Sequence, residues 1–294
     1  MKNNMKNCLY IILVCIFMFS SFSEVPAQTA NEQTPFKLSL VKWSFRTMTS
    51  RLCEHAVALG IDAIEIVDEE KWDIIKQAGL NIAIADGADL GIWAGFCDED
   101  LHERLQKRYI AMLPKLQQYG ITQLICYSGI NTRVNSDEAL EICARGLLPV
   151  VQQAEKYGVT IVMELLSSRE TDVLFCKQRF AHYRCDNPEW GAKLVEKIGS
   201  PNFRLLYDIW HMADMQRDVI ADIAKYGEYI SHYHIADLNR RRGTFSENDR
   251  LFYQKVFNEI RKSGYSGYIG LELDRIENDI FDLLKTCVSF VNEF

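Results

Sequence analysis

The chain lacks an excess of positive charge: Lys and Arg number 33 against 40 Asp and Glu, a net charge of −7. Nucleic acids and anionic membranes are bound through a basic face, so this balance argues against both as partners. The one basic cluster is Arg240-Arg241-Arg242. It reads either as a solvated loop or as a clamp for an anionic or polyhydroxy substrate. No CxxC occurs among the nine cysteines, and an odd number remains after Cys8 and Cys15, which excludes a disulfide framework and a zinc–thiolate site. Cys126 and Cys143 sit in apolar runs and read as buried small residues, whereas Cys176 and Cys185 lie in a loop-like insert and can bridge in an oxidising compartment. The first strand runs into KWSFRTMTS with no glycine-rich dinucleotide or P-loop fingerprint.

Long apolar runs are also scarce. The one at the start, from Cys8 to about Phe19, follows Lys2 and Lys6 and precedes Val25-Pro26-Ala27, the arrangement of a signal peptide cut after Ala27. It is shorter than the roughly 20 residues of a membrane span, and no twin arginine precedes it. An uncleaved anchor, or a lipoprotein through Cys15, is the alternative; Val14 is not the small residue that precedes a lipidated cysteine. The expectation is an exported, periplasmic protein with no stable membrane insertion after processing, residues 28–294 forming one domain that can be a homo-oligomer.

From residue 36 onward, β-rich runs alternate with amphipathic helical runs, with strands expected at 37–43, 61–66, 80–85, 121–127, 159–164, 203–208, 229–235 and 267–272. Gly60, Gly79, Gly120 and Gly158 each stand just before a branched apolar residue, where glycine stops a helix and turns the chain into the next strand. Eight strand–helix units imply parallel strands with right-handed crossovers, an α/β fold of the (β/α)₈ TIM-barrel type rather than an open doubly wound sheet.

In such a barrel the C-terminal ends of the strands share one mouth. Glu164 ends VTIVME, Asp208 ends FRLLYD, His234 lies in YISHYHIAD and Glu272 ends GYIGLE, so three carboxylates and an imidazole are brought together. Carboxylates so arranged resist ionising unless a cation sits among them, which implies one divalent metal ion; oxygen plus imidazole donors suit Mg, Mn, Co or Zn. Strand alternation puts His232 on the face of His234, one layer lower, as a core or supporting histidine. Trp43, Trp93 and Phe96 follow strands 1 and 3 and can form an apolar wall for a sugar, or serve as core or lid residues.

Four segments, MELLSSR at 163–169, LLYDIWHM at 205–212, SHYHIAD at 231–237 and GYSGYIGLEL at 264–273, resemble the xylose isomerase-like TIM barrels, especially the branch of hydroxypyruvate isomerases and ketose 3-epimerases. The resemblance runs from about residue 36 to the end. It implies that Glu164, Asp208, His234 and Glu272 bind the metal, that Glu164 and Glu272 also move the proton, and that His211 contacts a substrate oxygen. The chain departs from the hydroxypyruvate isomerase pattern at His234, where glutamine is common, at Asn239-Arg240-Arg241-Arg242, and in an enlarged loop around LFCKQRFAHYRCD. These loops shape the substrate pocket, where Arg240, Trp43 and Trp93 are expected beside His211.

The expected activity is isomerisation or epimerisation of a small keto sugar or hydroxy-keto acid through an enediolate, with the two glutamates as acid and base. Two alternatives use the same barrel: metal-dependent lysis or hydrolysis of a 3-keto glycoside, and non-catalytic carbohydrate binding. A trinuclear zinc phosphodiesterase needs many histidines, and of the six in the chain only His211, His232 and His234 fall near the expected mouth.

Overall fold

The computed structural model describes residues 36–169, 182–277 and 280–294. The leader expected at 1–27, Cys176 and most of the enlarged insert lie outside that range. Eight parallel strands are present: β1 (Lys37–Val41), β2 (Ala63–Glu65), β3 (Asn81–Ile82), β4 (Gln123–Cys126), β5 (Thr160–Leu165), β6 (Phe203–Asp208), β7 (Ile230–Ile235) and β8 (Tyr268–Leu271). They alternate with helices α1 (Thr49–Ala58), α2 (Trp72–Gln77), α3 (His102–Tyr119), α4 (Ser136–Tyr157), α5 (Pro188–Ile198), α6 (Ile209–Asp214), α7 (Val219–Tyr226), α8 (Glu247–Lys262) and α9 (Ile280–Val291). Sheet order is β3-β2-β1-β8-β7-β6-β5-β4. The seam between β3 and β4 closes through Ala85, whose N–H donates to Gln123 O at 3.0 Å and whose carbonyl accepts from Ile125 N at 3.1 Å.

β3 is the strand that departs most from the sequence expectation. Residues 83–85 divide their hydrogen bonds, Ala83 donating to Ile64 on the β2 side and Ala85 to β4, so the run bridges two neighbours instead of extending one ladder. At the other end of the barrel the glycine stops hold: Gly60, Gly79, Gly120 and Gly158 have φ of 70, 80, 68 and 65°. At Gly158 the left-handed turn lets Val159 N–H reach back to Ala154 O at 3.0 Å, a carbonyl of the last turn of α4 that also accepts from the Gly158 N–H.

One irregularity matters for the mouth. The β6–β7 register shifts between Leu205 and Leu206, which pair with Ile230 and His232, so Ser231 is the extra residue of a bulge. Past the bulge Asp208 pairs with His234, and His234 in turn pairs with Gly270 on β8. Cys126, Cys143 and Cys185 are buried free thiols, and the bridge considered for Cys185 falls on a partner outside the described residues. Among the described residues, no helix is long and apolar enough to cross a membrane.

Candidate active site

Glu164, Asp208, His234 and Glu272 converge: each offers a ligand atom, all four atoms lie within 4.8 Å of one another, and all four residues are buried. Asp208 closes β6 and also caps α6, its Oδ1 accepting from His211 N at 3.1 Å, which leaves Oδ2 for the cluster. His234 Nδ1 lies 3.1 Å from Glu272 Oε2 and 3.6 Å from Glu164 Oε1. Glu164 Oε1 is buried without a hydrogen-bond partner.

The arginine at this mouth is Arg241, and Arg240 is exposed and away from the cavity. Asp237 gathers the loop, accepting from the backbone N–H groups of Arg240, Arg242 and Gly243. Arg241 takes a left-handed φ of 52°, which turns its side chain inward. Its Nη2 donates to Glu272 Oε2 at 2.5 Å and Asp208 Oδ2 at 3.3 Å, its Nη1 lies 3.2 Å from His211 Nε2, and its guanidinium sits 4.8 Å over the Trp210 ring. No spacing rule separates three consecutive arginines, because the backbone turn alone decides which one enters.

Charge is unresolved in this layer. Burial, then the Glu272 charge, pushes Glu164 up; burial pushes Asp208 well up despite Arg241. Glu272 is held well below the usual carboxylate range, Arg241 and His234 overcoming its burial. His234 is raised well above its ordinary value against burial, by Glu272, Glu164 and Glu65. His211 is pushed well down by burial and by Arg241, and so stays neutral, its Nδ1 accepting from Ser167 N at 3.2 Å. Three carboxylates share one guanidinium and one imidazole, and two of the three resist ionising. A divalent cation resolves that imbalance with donors of the right kind, and the orphaned Glu164 Oε1 fits the same reading.

Beneath this layer lies a residue that the sequence reading missed. Glu65, at the end of β2, is fully buried, with Oε2 2.9 Å from His232 Nε2 and Oε1 3.2 Å from His234 Nε2. These are ion-pair distances that fall short of aligned hydrogen bonds. His232, then His234, lower its carboxyl to about 2 against the cost of burial. Its only signal in the sequence is a carboxylate inside the apolar run AIEIV, on a strand whose successor is too irregular to fix the register. His232 sits in the layer below His234, where strand alternation puts it.

A cavity of about 520 Å³ opens above the cluster, lined by Glu164, His211, His234, Arg241 and Glu272 together with Trp43, Trp93, Asp86 and Asp89. Trp43 is 42% and Trp93 47% exposed, so both offer ring surface to whatever enters. Phe96 does not: it is fully buried, 5.3 Å from the Tyr109 ring. Gly95, just before it, abuts the backbone of Gly129, and this close approach draws the loop down into the core.

The profile of the xylose isomerase-like TIM barrel family matches residues 53–286. The chain belongs to that family. Among its relatives, hydroxypyruvate isomerase of Escherichia coli K12 is 25% identical over 180 residues, 56% of this chain and 66% of that one. D-psicose 3-epimerase of Enterocloster bolteae is 25% identical over 202 residues, covering 62% of this chain and 64% of its own. Each match spans less than two thirds of the relative's length. In fold, the chain is similar to 3-keto-D-glucoside 4-epimerase from E. coli, with a TM-score of 0.69 at 16% identity over 88% of this chain and all of that one.

Proposed function

We propose that this member of the family is a divalent-metal-dependent isomerase or epimerase of a small keto sugar or hydroxy-keto acid. The observation that carries the reading is the pair Glu164, on β5, and Glu272, just past β8, with two strands between them, both buried at one cavity beside Asp208 and His234. Two carboxylates on separate strands at one cavity can face opposite sides of a planar enediolate. Glu164, Asp208, His234 and Glu272 would hold the ion, which supplies Lewis acidity to a carbonyl and its neighbouring hydroxyl. One of the two glutamates takes the proton from the carbon between them, and the other delivers one to the adjacent carbon for isomerisation, or to the opposite face of the same carbon for epimerisation. Arg241 and neutral His211 present N–H groups to the developing enediolate oxygens, while Trp43 and Trp93 offer faces for the carbon skeleton to pack on.

The cavity's size favours a sugar over hydroxypyruvate. About 520 Å³ falls among pockets that enclose drug-sized ligands, and a three-carbon acid would leave most of it to water. The same room admits a second reading, β-elimination from a 3-keto glycoside at the same acidified carbon. Incubating the metal-loaded protein with ketoses, hydroxypyruvate and 3-keto glycosides, with products read by proton NMR, separates the two: isomers or epimers of unchanged mass support the first, and release of an aglycone supports the second. The reading extends to an exported chain beginning near Gln28, as the basic start, apolar run and Val-Pro-Ala site suggest. Intact mass of the protein from its native host tests it, and a full-length cytoplasmic chain would contradict it.

A further inference from the structure

The lower layer is built with a specificity that core packing does not require. A carboxylate with no exposure is costly unless its charge is answered. Among the described residues Glu65 forms no ion pair with lysine or arginine and meets the two imidazoles of His232 and His234, whose rings stand perpendicular with centroids 5.2 Å apart. Room for it is made on the neighbouring strand: Gly270, in register with His234, has no side chain, and a methyl group there would collide with Glu65 Oε1 and come within 2.7 Å of His234 Cδ2. β2, β7 and β8 thus each contribute to holding one ring edge of His234 against one carboxylate.

That arrangement divides the two nitrogens of His234. Nε2 faces Glu65, and Nδ1 faces Glu164 and Glu272 in the upper layer. A neutral imidazole has one N–H and one lone pair, and both nitrogens face acceptor-only carboxylates, Nδ1 lying 3.1 Å from Glu272 Oε2; a cation held by Glu164, Asp208 and Glu272 calls for the lone pair at Nδ1, which leaves the hydrogen to Nε2 and Glu65.

We propose that Glu65 is a positioning residue that fixes His234 as the Nε2–H tautomer and aims its Nδ1 lone pair at the metal ion. The inference rests on the metal reading of the upper cluster, not on the identity of the sugar. His232 is the second support, filling the other side of the carboxylate so that Glu65 cannot turn away from His234. Supporting carboxylates of this kind typically change metal affinity by about 10- to 100-fold when removed. Glu65, His232 and His234 also form a potential ligand set in their own right. Glu65 Oε2 and His232 Nε2 are already 2.9 Å apart in a space with no exposure, so the geometry favours direct contact over an ion between them.

The test uses zinc ion as the probe and needs no substrate. Calorimetric titration of the wild-type chain should give one zinc per chain, and Glu65→Gln, with an unchanged circular dichroism spectrum, should bind it 10- to 100-fold more weakly. Nitrogen-15 NMR of histidine-labelled, zinc-loaded wild type should show His234 protonated at Nε2 and coordinated through Nδ1, a signature that loss of packing alone would not produce. This measurement decides the matter even if the variant fails to fold. Equal zinc affinity in both proteins, coordination of His234 through Nε2, or two zinc ions per wild-type chain with one lost in Glu65→Gln each overturns the assignment. A wild type that binds no zinc overturns the metal reading and this inference together. One that binds zinc as described yet converts no sugar overturns only the proposed reaction.

Discussion

The two ends of the barrel obey different rules. At the N-terminal ends of the strands, Gly60, Gly79, Gly120 and Gly158 turn helices into strands, and a methyl group on any of them would meet nothing within 4 Å. Conformation alone selects glycine there, and nothing is stored beyond a tight turn. At the C-terminal ends the chain accepts what an optimally stable protein avoids: three buried carboxylates side by side, a non-glycine residue at φ 52°, and a raised carboxyl on the cavity wall at Asp86. Such features persist only where the surrounding structure over-determines them, and they concentrate at functional sites. One end is made for stability and the other for chemistry.

The sharpest way to break this comparison is to show that the strained end is dispensable. Glu164→Gln and Glu272→Gln keep size and an oxygen donor while removing a proton carrier, so each should lower turnover by roughly two to four orders of magnitude with the fold intact. Activity assays beside circular dichroism check it, and variants with near wild-type turnover would make the cluster structural. Arg241→Met comes next. It should lower turnover about a hundredfold, by loss of an oxyanion partner, without weakening divalent-ion affinity, because the guanidinium contributes positive charge to the same carboxylates. Parallel kinetics and calorimetry would show whether the two quantities separate.

At the other end, Gly158→Ala should cost about 1 kcal/mol, the penalty of a left-handed alanine, and leave turnover unchanged. In a domain of this size that lowers the melting temperature by about 2–4 °C. A drop in activity at unchanged folded fraction would mean that the two ends are coupled. The last test is a slope. Burial, then contact with Asp89, raises Asp86 to about 8. The native state therefore keeps a proton that the unfolded chain releases near pH 4, and stability on this account declines as pH rises from about 4 to 8. Asp86→Asn keeps the oxygen that accepts from Gly87 N and removes the slope. Its melting temperature relative to wild type should rise between pH 5 and pH 8, whereas a constant difference would remove the carboxyl pair from the account.

What could be read from the sequence divides along the same line. Glycine stops and the eight strand runs were legible because they depend on local conformation and on the near-continuous apolar runs that strands buried on both faces require. Glu164, Asp208, His234 and Glu272 could be picked out because each closes, or nearly closes, an apolar run, and a parallel barrel brings such positions together. Glu65 was not legible: it interrupts an apolar run as any buried polar residue might, and only the register of β2 beside β1, β8 and β7 shows what it faces. Arg241 was mistaken for Arg240 because the choice rests on one backbone torsion. Phe96 was grouped with Trp43 and Trp93 because the three share chemistry and follow strands, while the Gly95–Gly129 contact that draws Phe96 inward joins residues of different loops.

The central claim is that the mouth moves a proton on the carbon beside a carbonyl, using Glu164 and Glu272 with a divalent ion. Running the metal-loaded wild-type protein in heavy water with its sugar substrate, and reading the carbon-bound hydrogens by NMR, tests it most directly. The account predicts deuterium at that carbon in wild type and almost none with either glutamine variant or after the ion is stripped by a chelator. Exchange at wild-type rates in both variants, or turnover without any deuterium incorporation, would contradict it.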